Sequence, residues 1–146
     1  MELHFDLLRS EDIDELMEVE LCSFPDPWSP ELFQQEIKNR LAHYFIVRKE
    51  GRLVAYGGMW LIVDEAHITN IAVHKDDRNQ GIGESLLTKM IDYAKIRKMK
   101  HMTLEVRVSN QKAQNLYEKY GFNSQGHRPH YYLDNGEDAI IMWKHL

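Results

Sequence analysis

Arg78, Gly81 and Gly83 fall in the run Arg78-Asn79-Gln80-Gly81-Ile82-Gly83-Glu84, directly ahead of a helix-like pattern. Glycine lets backbone amides approach a ligand closely, and the first turn of a helix carries unpaired N–H groups at its positive dipole end. Such a place suits an anion, above all a phosphate; an ordinary turn into a helix has the same spacing. Two further side chains have the chemistry to move protons. Glu105 lies between Leu104 and Val106 in a branched run, so a strand points it away from both. Spacing alone leaves it either a solvated glutamate or a base whose proton affinity a partly apolar cleft would raise. Tyr117 shares a stripe with Ala113 and Tyr120; it is a core aromatic, a phenol able to donate a proton near neutral pH, or both.

The elements that must position these groups are set by periodicity. Leu3 to Leu8 alternates as an edge strand. Ser10 is placed to cap a helix with Glu11 and Asp12 in its first turn and Ile13, Leu16, Met17 and Leu21 at helical spacing. The segment SFPDPWSPELF holds three of the four prolines and breaks that helix. A short one restarts after Pro30, with Leu32, Phe33 and Ile37 inward. Tyr44–Arg48, Leu53–Val63 and Ala66–Val73 read as strands joined by tight turns. Leu86, Leu87, Met90, Ile91 and Ala94 form the apolar face of a helix whose Lys89, Asp92 and Lys95 point outward. HMTLEVRV is a strand, and Ser109-Asn110 caps a second helix ending at Gly121. Phe122–Leu133 and Ala139–Leu146 close the chain as a hairpin around Asp134-Asn135-Gly136. A helix separates Ala66–Val73 from His101–Val108, so those two strands should run parallel.

The bulk properties narrow the class. With 146 residues, 43% of them hydrophobic and 28% charged, the chain fits a single soluble domain spanning residues 1–146. No apolar run is long enough to span a bilayer, and the acidic N-terminal segment does not read as a secretory signal, so no membrane partner is expected. The lone Cys22 forms no internal disulfide, fits a reducing cytoplasm, and reads as a buried apolar residue. A net charge of −5 argues against nucleic-acid binding and permits a basic partner. His4, His127, His130 and His145 show no metal-ligand spacing, so no metal is expected.

Phosphate-binding loops differ in the residues that come after their glycines. Glu84-Ser85 takes the place of the lysine and hydroxyl of a P-loop, and Leu86 occupies the third glycine position of a dinucleotide fingerprint. The remaining pattern, Arg-x-x-Gly-x-Gly, is that of a loop wrapping the pyrophosphate of coenzyme A. Here ITNIAVHKDDRNQGIGESLL resembles the acetyl-CoA-binding core of the GCN5-related N-acetyltransferases. The blocks FPDPWSPELF, LEVRVSNQKAQNLYEKYGF and RPHYYLDNGEDAIIM extend the resemblance toward the bacterial ribosomal-protein-alanine N-acetyltransferases over nearly the whole chain. Asn79 stands where that family often has a second basic residue, and Asp77 adds a carboxylate nearby. The change implies a weaker electrostatic hold on phosphate.

The resemblance implies an α/β fold with a central mixed sheet of about seven strands and four helices. It also implies acetyl transfer from acetyl-CoA to an amine by direct attack, on the N-terminal alanine of a small-subunit ribosomal protein. Under it, Glu105 is the base and Tyr117 the acid that protonates the leaving thiolate. Ile71, Ala72 and Val73 present backbone groups to the pantetheine arm, Asn110 touches that arm or simply caps its helix, and Arg78 to Glu84 (Arg78, Asn79, Gln80, Gly81, Ile82, Gly83, Glu84) cradle the phosphates. Trp28, Tyr131 and Tyr132 frame the peptide, and His67 either relays a proton through water or is structural. An α-amine has an ordinary pKa near 8, against roughly 10.4 for lysine, so a carboxylate suffices to deprotonate it. Acetylation of a small amine or of lysine side chains keeps the same cofactor. A non-catalytic acyl-CoA sensor would need neither Glu105 nor Tyr117.

Overall fold

The computed structural model describes residues 2–146. Seven strands form one sheet: β1 (Leu3–Leu7), β2 (Ala42–Lys49), β3 (Arg52–Ile62), β4 (Glu65–Val73), β5 (His101–Arg107), β6 (Asn123–Arg128) and β7 (Ala139–His145). Their order is β1-β2-β3-β4-β5-β7-β6, and every neighbouring pair is antiparallel except β4 with β5. Four helices cover it: α1 (Ile13–Ser23), α2 (Pro30–Lys38), α3 (Ile82–Ile96) and α4 (Gln111–Lys119). The mixed sheet and the parallel crossover through α3 match the reading from sequence. Among the described residues no helix is long and apolar enough to cross a membrane.

Two apolar cores lie on opposite faces of the sheet. Leu86, Leu87, Met90 and Ala94 of α3 pack with Val47, Met59, Leu104 and Met142 on one face. Leu16 and Val19 of α1 and Phe33 of α2 pack with Tyr44, Ile46 and Tyr56 on the other. Each fully buried side chain of this size contributes roughly 1.5–3 kcal/mol from removal of apolar surface from water. These cores hold the central strands rigid on both faces.

Two irregularities shape the centre of the sheet. β4 and β5 pair only from Glu65↔His101 to His67↔Thr103; beyond that register β4 keeps β3 on one side and has no strand on the other. A bulge interrupts β3–β4 between Gly58 and Met59, leaving Thr69 as the extra residue. A bulge bends its strand and re-aims nearby side chains. Together they open a wedge between β4 and β5.

Several expectations need correction. Ser10 does not cap α1: residues Ser10–Asp12 form a 3-10 turn, and the Asp12 carboxylate bonds the Arg9 N–H (3.0 Å) and Arg48 (2.8 Å) instead. Leu21 is exposed because the inward position on α1 belongs to Glu20. Leu32 also faces solvent, whereas Phe33 is buried. Cys22 is only half-buried, with its thiol on the Val19 carbonyl (3.4 Å). The closing hairpin is shorter than expected, since β6 ends at Arg128 and residues 129–138 form a loop that carries Tyr131 and Tyr132.

Candidate active site

The wedge between β4 and β5 is a cleft of about 490 Å³. One wall is Ile68–Ile71 of β4 and the other is Leu104–Arg107 of β5. Asn110, Ala113 and Tyr117 close it from α4, the 24–28 segment from α1's end, and Tyr131–Asp134 from the loop. Residues distant in sequence that were picked for chemistry therefore meet in one place. Glu105, Tyr117, Asn110, Ile71, Trp28, Tyr131 and Tyr132 all line it.

Glu105 is on the strand face predicted for it, with a side chain only 10% exposed. Two basic side chains face its oxygens. Oε2 lies 2.6 Å from His67 Nε2 and Oε1 lies 3.5 Å from Arg128 Nε. His67 is thus in direct contact with the candidate base. Tyr117 packs edge-on against Phe122 (5.6 Å between centroids), and among the described residues no side-chain group bonds its hydroxyl. Burial pushes this phenol up to about 12. It is protonated at any physiological pH and can donate to a developing thiolate.

The strand edge and glycine loop suit an extended ligand ending in phosphates. Ala72 is buried against the α1 core and Ile71 and Val73 are half-buried, so what β4 offers outward is its backbone. Arg78 staples the loop to the scaffold: Nε donates to the Val73 carbonyl (3.0 Å), and a terminal nitrogen donates to the Cys22 carbonyl and Ser23 Oγ (3.2 Å each). Gly81 takes φ +80°, a left-handed conformation disfavoured for other residues, and opens α3 without a side-chain cap. The first N–H groups of that helix are left for a ligand. A Cβ at Gly83 would sit 3.5 Å from a Val73 methyl, an ordinary contact, so the protein itself does not demand glycine there.

The other loop side chains are occupied. Ile82 is in the core, and the Glu84 carboxylate accepts from Lys119 and Tyr120 (2.6 Å each), leaving only backbone for a ligand. Gln80 accepts from Lys49 (3.0 Å), and Asn79 bonds Lys112. The expected weakness of charge is also revised. Asp77 is 2% exposed and held by Arg52 (2.9 Å) and Lys49 (3.5 Å), which hold its carboxyl below the usual range, while Lys112 brings a cation to the loop. Asn110 caps α4 by accepting from the Ala113 N–H (3.1 Å) and lines the cleft as well.

Two residues of the site escaped the sequence reading. Glu20 lines the cleft at 1% exposure, accepting from the Tyr56 hydroxyl and the Trp28 N–H (2.8 Å). Burial pushes its carboxyl up. It fixes the segment carrying Trp28, whose ring rests on Phe33 at 5.4 Å. The signal was an acid at the inward position of the α1 stripe. Arg107 does the same for the tyrosine loop, bonding Asp134 (3.1 Å) and Glu137 (3.2 Å). Tyr131 and Tyr132 meet edge to face at 5.0 Å, and burial pushes Tyr132 up to about 12. Among the described residues no group of three or more His, Cys, Asp or Glu side chains could hold a metal ion.

Residues 13–122 match the family model described as the acetyltransferase (GNAT) family. A Bacillus subtilis protein for which ribosomal protein bS18-alanine N-acetyltransferase activity is proposed is 45% identical over 93% of this chain and 91% of its own. The Escherichia coli ribosomal protein bS18-alanine N-acetyltransferase is 36% identical, over 92% of each chain. The crystal structure of an Escherichia coli ribosomal-protein-alanine N-acetyltransferase superposes with a TM-score of 0.92 at 34% identity, covering 99% of this chain and 94% of that one.

Proposed function

The chain belongs to the acetyltransferase (GNAT) family and is an acetyl-CoA-dependent N-acetyltransferase; from that premise we propose that it acetylates the N-terminal alanine of a small-subunit ribosomal protein. The relatives named for that substrate align with this chain nearly end to end. The observation that carries the reading is a single cleft, at the parting of β4 and β5, lined by both a carboxylate and a free phenol. Its location in the cytoplasm, where ribosomal proteins are made, belongs to the same proposal.

Backbone groups of residues 71–73 on the free edge of β4 would hold the amides of acetyl-CoA, and the glycine loop would hold its phosphates. The thioester supplies the acetyl group. The neutral α-amine attacks the carbonyl carbon, Glu105 takes the proton that nitrogen sheds as the C–N bond forms, and Tyr117 gives its phenolic proton to sulfur as the C–S bond breaks. Trp28 and the tyrosine pair hold the peptide's first residues from opposite sides, so the nucleophile is already oriented when the amine loses its proton.

Thiol release measured over a panel of peptides and amines tests this. Release should be strong with a peptide beginning with alanine and weak with polyamines or free lysine. Fast release with a polyamine and none with the peptide would replace the reading by a small-amine acetyltransferase.

A further inference from the structure

His67 ends the paired stretch of β4, opposite Thr103, and Glu105 lies two residues further along β5, where the strands have begun to part. Both side chains project from the same face of the sheet, and their 2.6 Å contact is among the shortest between side chains in the molecule. Glu105 lines the cleft and His67 is not among its lining residues, so the carboxylate is the member of the pair that faces the cleft. We propose that His67 is a positioning residue for the reaction, donating its Nε2–H to one oxygen of Glu105 so that the other is presented to the attacking amine; the proposal rests on Glu105 being the base.

The two oxygens of the carboxylate are not equivalent. Oε2 has the close ring nitrogen, on a histidine whose side chain is 30% exposed. Oε1 has only the Arg128 guanidinium at 3.5 Å, on a side chain more than half exposed and able to swing away. An ionised carboxylate only accepts hydrogen bonds, so the ring nitrogen is the donor. A glutamate has three side-chain torsions, and a base that samples several rotamers is aligned with the amine only part of the time. One strong charge-assisted bond at the correct oxygen removes that freedom. The balance of protons is simple. The α-ammonium sheds one proton to solvent as it binds. As the neutral amine forms the C–N bond, the second proton leaves nitrogen for Oε1, His67 keeps its own proton on Nε2 throughout, Tyr117 supplies the proton for sulfur as the C–S bond breaks, and solvent exchange after product release resets both groups.

A merely structural histidine and a positioning one differ in what their loss changes. His67→Gln places an amide N–H near the same oxygen, whereas His67→Leu fills similar space with no donor. His67→Leu should lower kcat roughly ten- to hundred-fold, while the KM for acetyl-CoA, the calorimetric affinity for coenzyme A and the melting temperature stay close to the parent's. His67→Gln should recover most of that loss. In the ring N–H region of the proton spectrum, the hydrogen-bonded imidazole signal should move upfield in Glu105→Gln, a reading that needs no turnover and no folded His67 variant. Equal losses for Leu and Gln, an unchanged kcat for Leu, or an imidazole signal unmoved by Glu105→Gln would each overturn the proposal. If Glu105→Gln is itself fully active, Glu105 is not the base; His67→Leu read beside it separates that failure from the failure of the pairing.

Discussion

The Arg107 guanidinium carbon lies 4.0 Å from the centre of the Tyr132 ring, while its nitrogens hold Asp134 and Glu137 from the other end of the same loop. A residue on β5, the strand of the candidate base, thus fixes the segment expected to grip the substrate. Arg107→Ala removes the stacking and both ion pairs at once. It should raise the peptide KM about ten-fold, from a cation–π contact of about 0.5–2 kcal/mol plus the lost loop order, and leave acetyl-CoA affinity within about two-fold. Arg107→Lys should recover only part, because an ammonium cannot reproduce the planar fork. Steady-state kinetics in each substrate separates the two effects.

Glu137 gives that loop a pH dependence. The Ser109 side chain, helped by the Ser109 N–H (2.7 Å) and Arg107, holds its carboxyl down to about 2. A depressed folded pKa means the anchoring is complete above the ordinary value of 4.5, is lost as pH falls from there toward 2, and is gone below. Melting temperatures should therefore fall more steeply between pH 4.5 and 2 in the parent than in Glu137→Gln. Parallel curves would exclude Glu137 as the anchor.

The glycines of the loop should respond differently to substitution. Gly83→Ala meets only ordinary contact and adds a better helix former, so it should fold with about 0.5–1 kcal/mol more stability. Its coenzyme A affinity should nevertheless fall ten-fold or more, because the new methyl occupies the approach to the first-turn amides. Gly81→Val has open space around it but must adopt φ +80°; it should lose both stability and affinity. Calorimetric titration and melting, run on the same samples, distinguish these outcomes.

With its phenol at about 12, Tyr117 remains a proton donor across the accessible range. Turnover should show no alkaline decline attributable to it below about pH 11. Tyr117→Phe should cost ten-fold or more in kcat, given the roughly 10²–10⁴ supplied by a positioned acid, with coenzyme A binding preserved. A full-activity Phe variant would remove Tyr117 from the chemistry.

Much of this site was legible in the sequence because its motifs resemble a known family, and periodicity then put their groups on definite elements. The α3 stripe from Leu86 to Ala94 and the alternation around Glu105 placed the crossover and the candidate base on the correct faces. What escaped depended on long-range contacts. Nothing local in His67 announces a partner 38 residues away, and only pairing of β4 with β5 over three positions brings the two together. Glu20 stands in the sequence as an acid on an apolar stripe, but helical spacing also admits Leu21, one residue on, to the inward position that Glu20 occupies. Tyr131 and Tyr132 fall in a run that reads as strand, because local sequence does not register a loop held by Arg107 of β5.

The nucleophile in the proposed reaction is a terminal α-amine. An α-amine, with an ordinary pKa near 8, is far easier to deprotonate at neutral pH than lysine at roughly 10.4, and Glu105 lines the cleft with an oxygen to receive that proton. Mass spectrometry of a lysine-containing peptide, prepared with a free and with a blocked alanine at its start, tests this most directly. A single acetyl group is predicted on the free form, located at the alanine, and none on the blocked form. Equal acetylation of both, with the label on lysine, would contradict it.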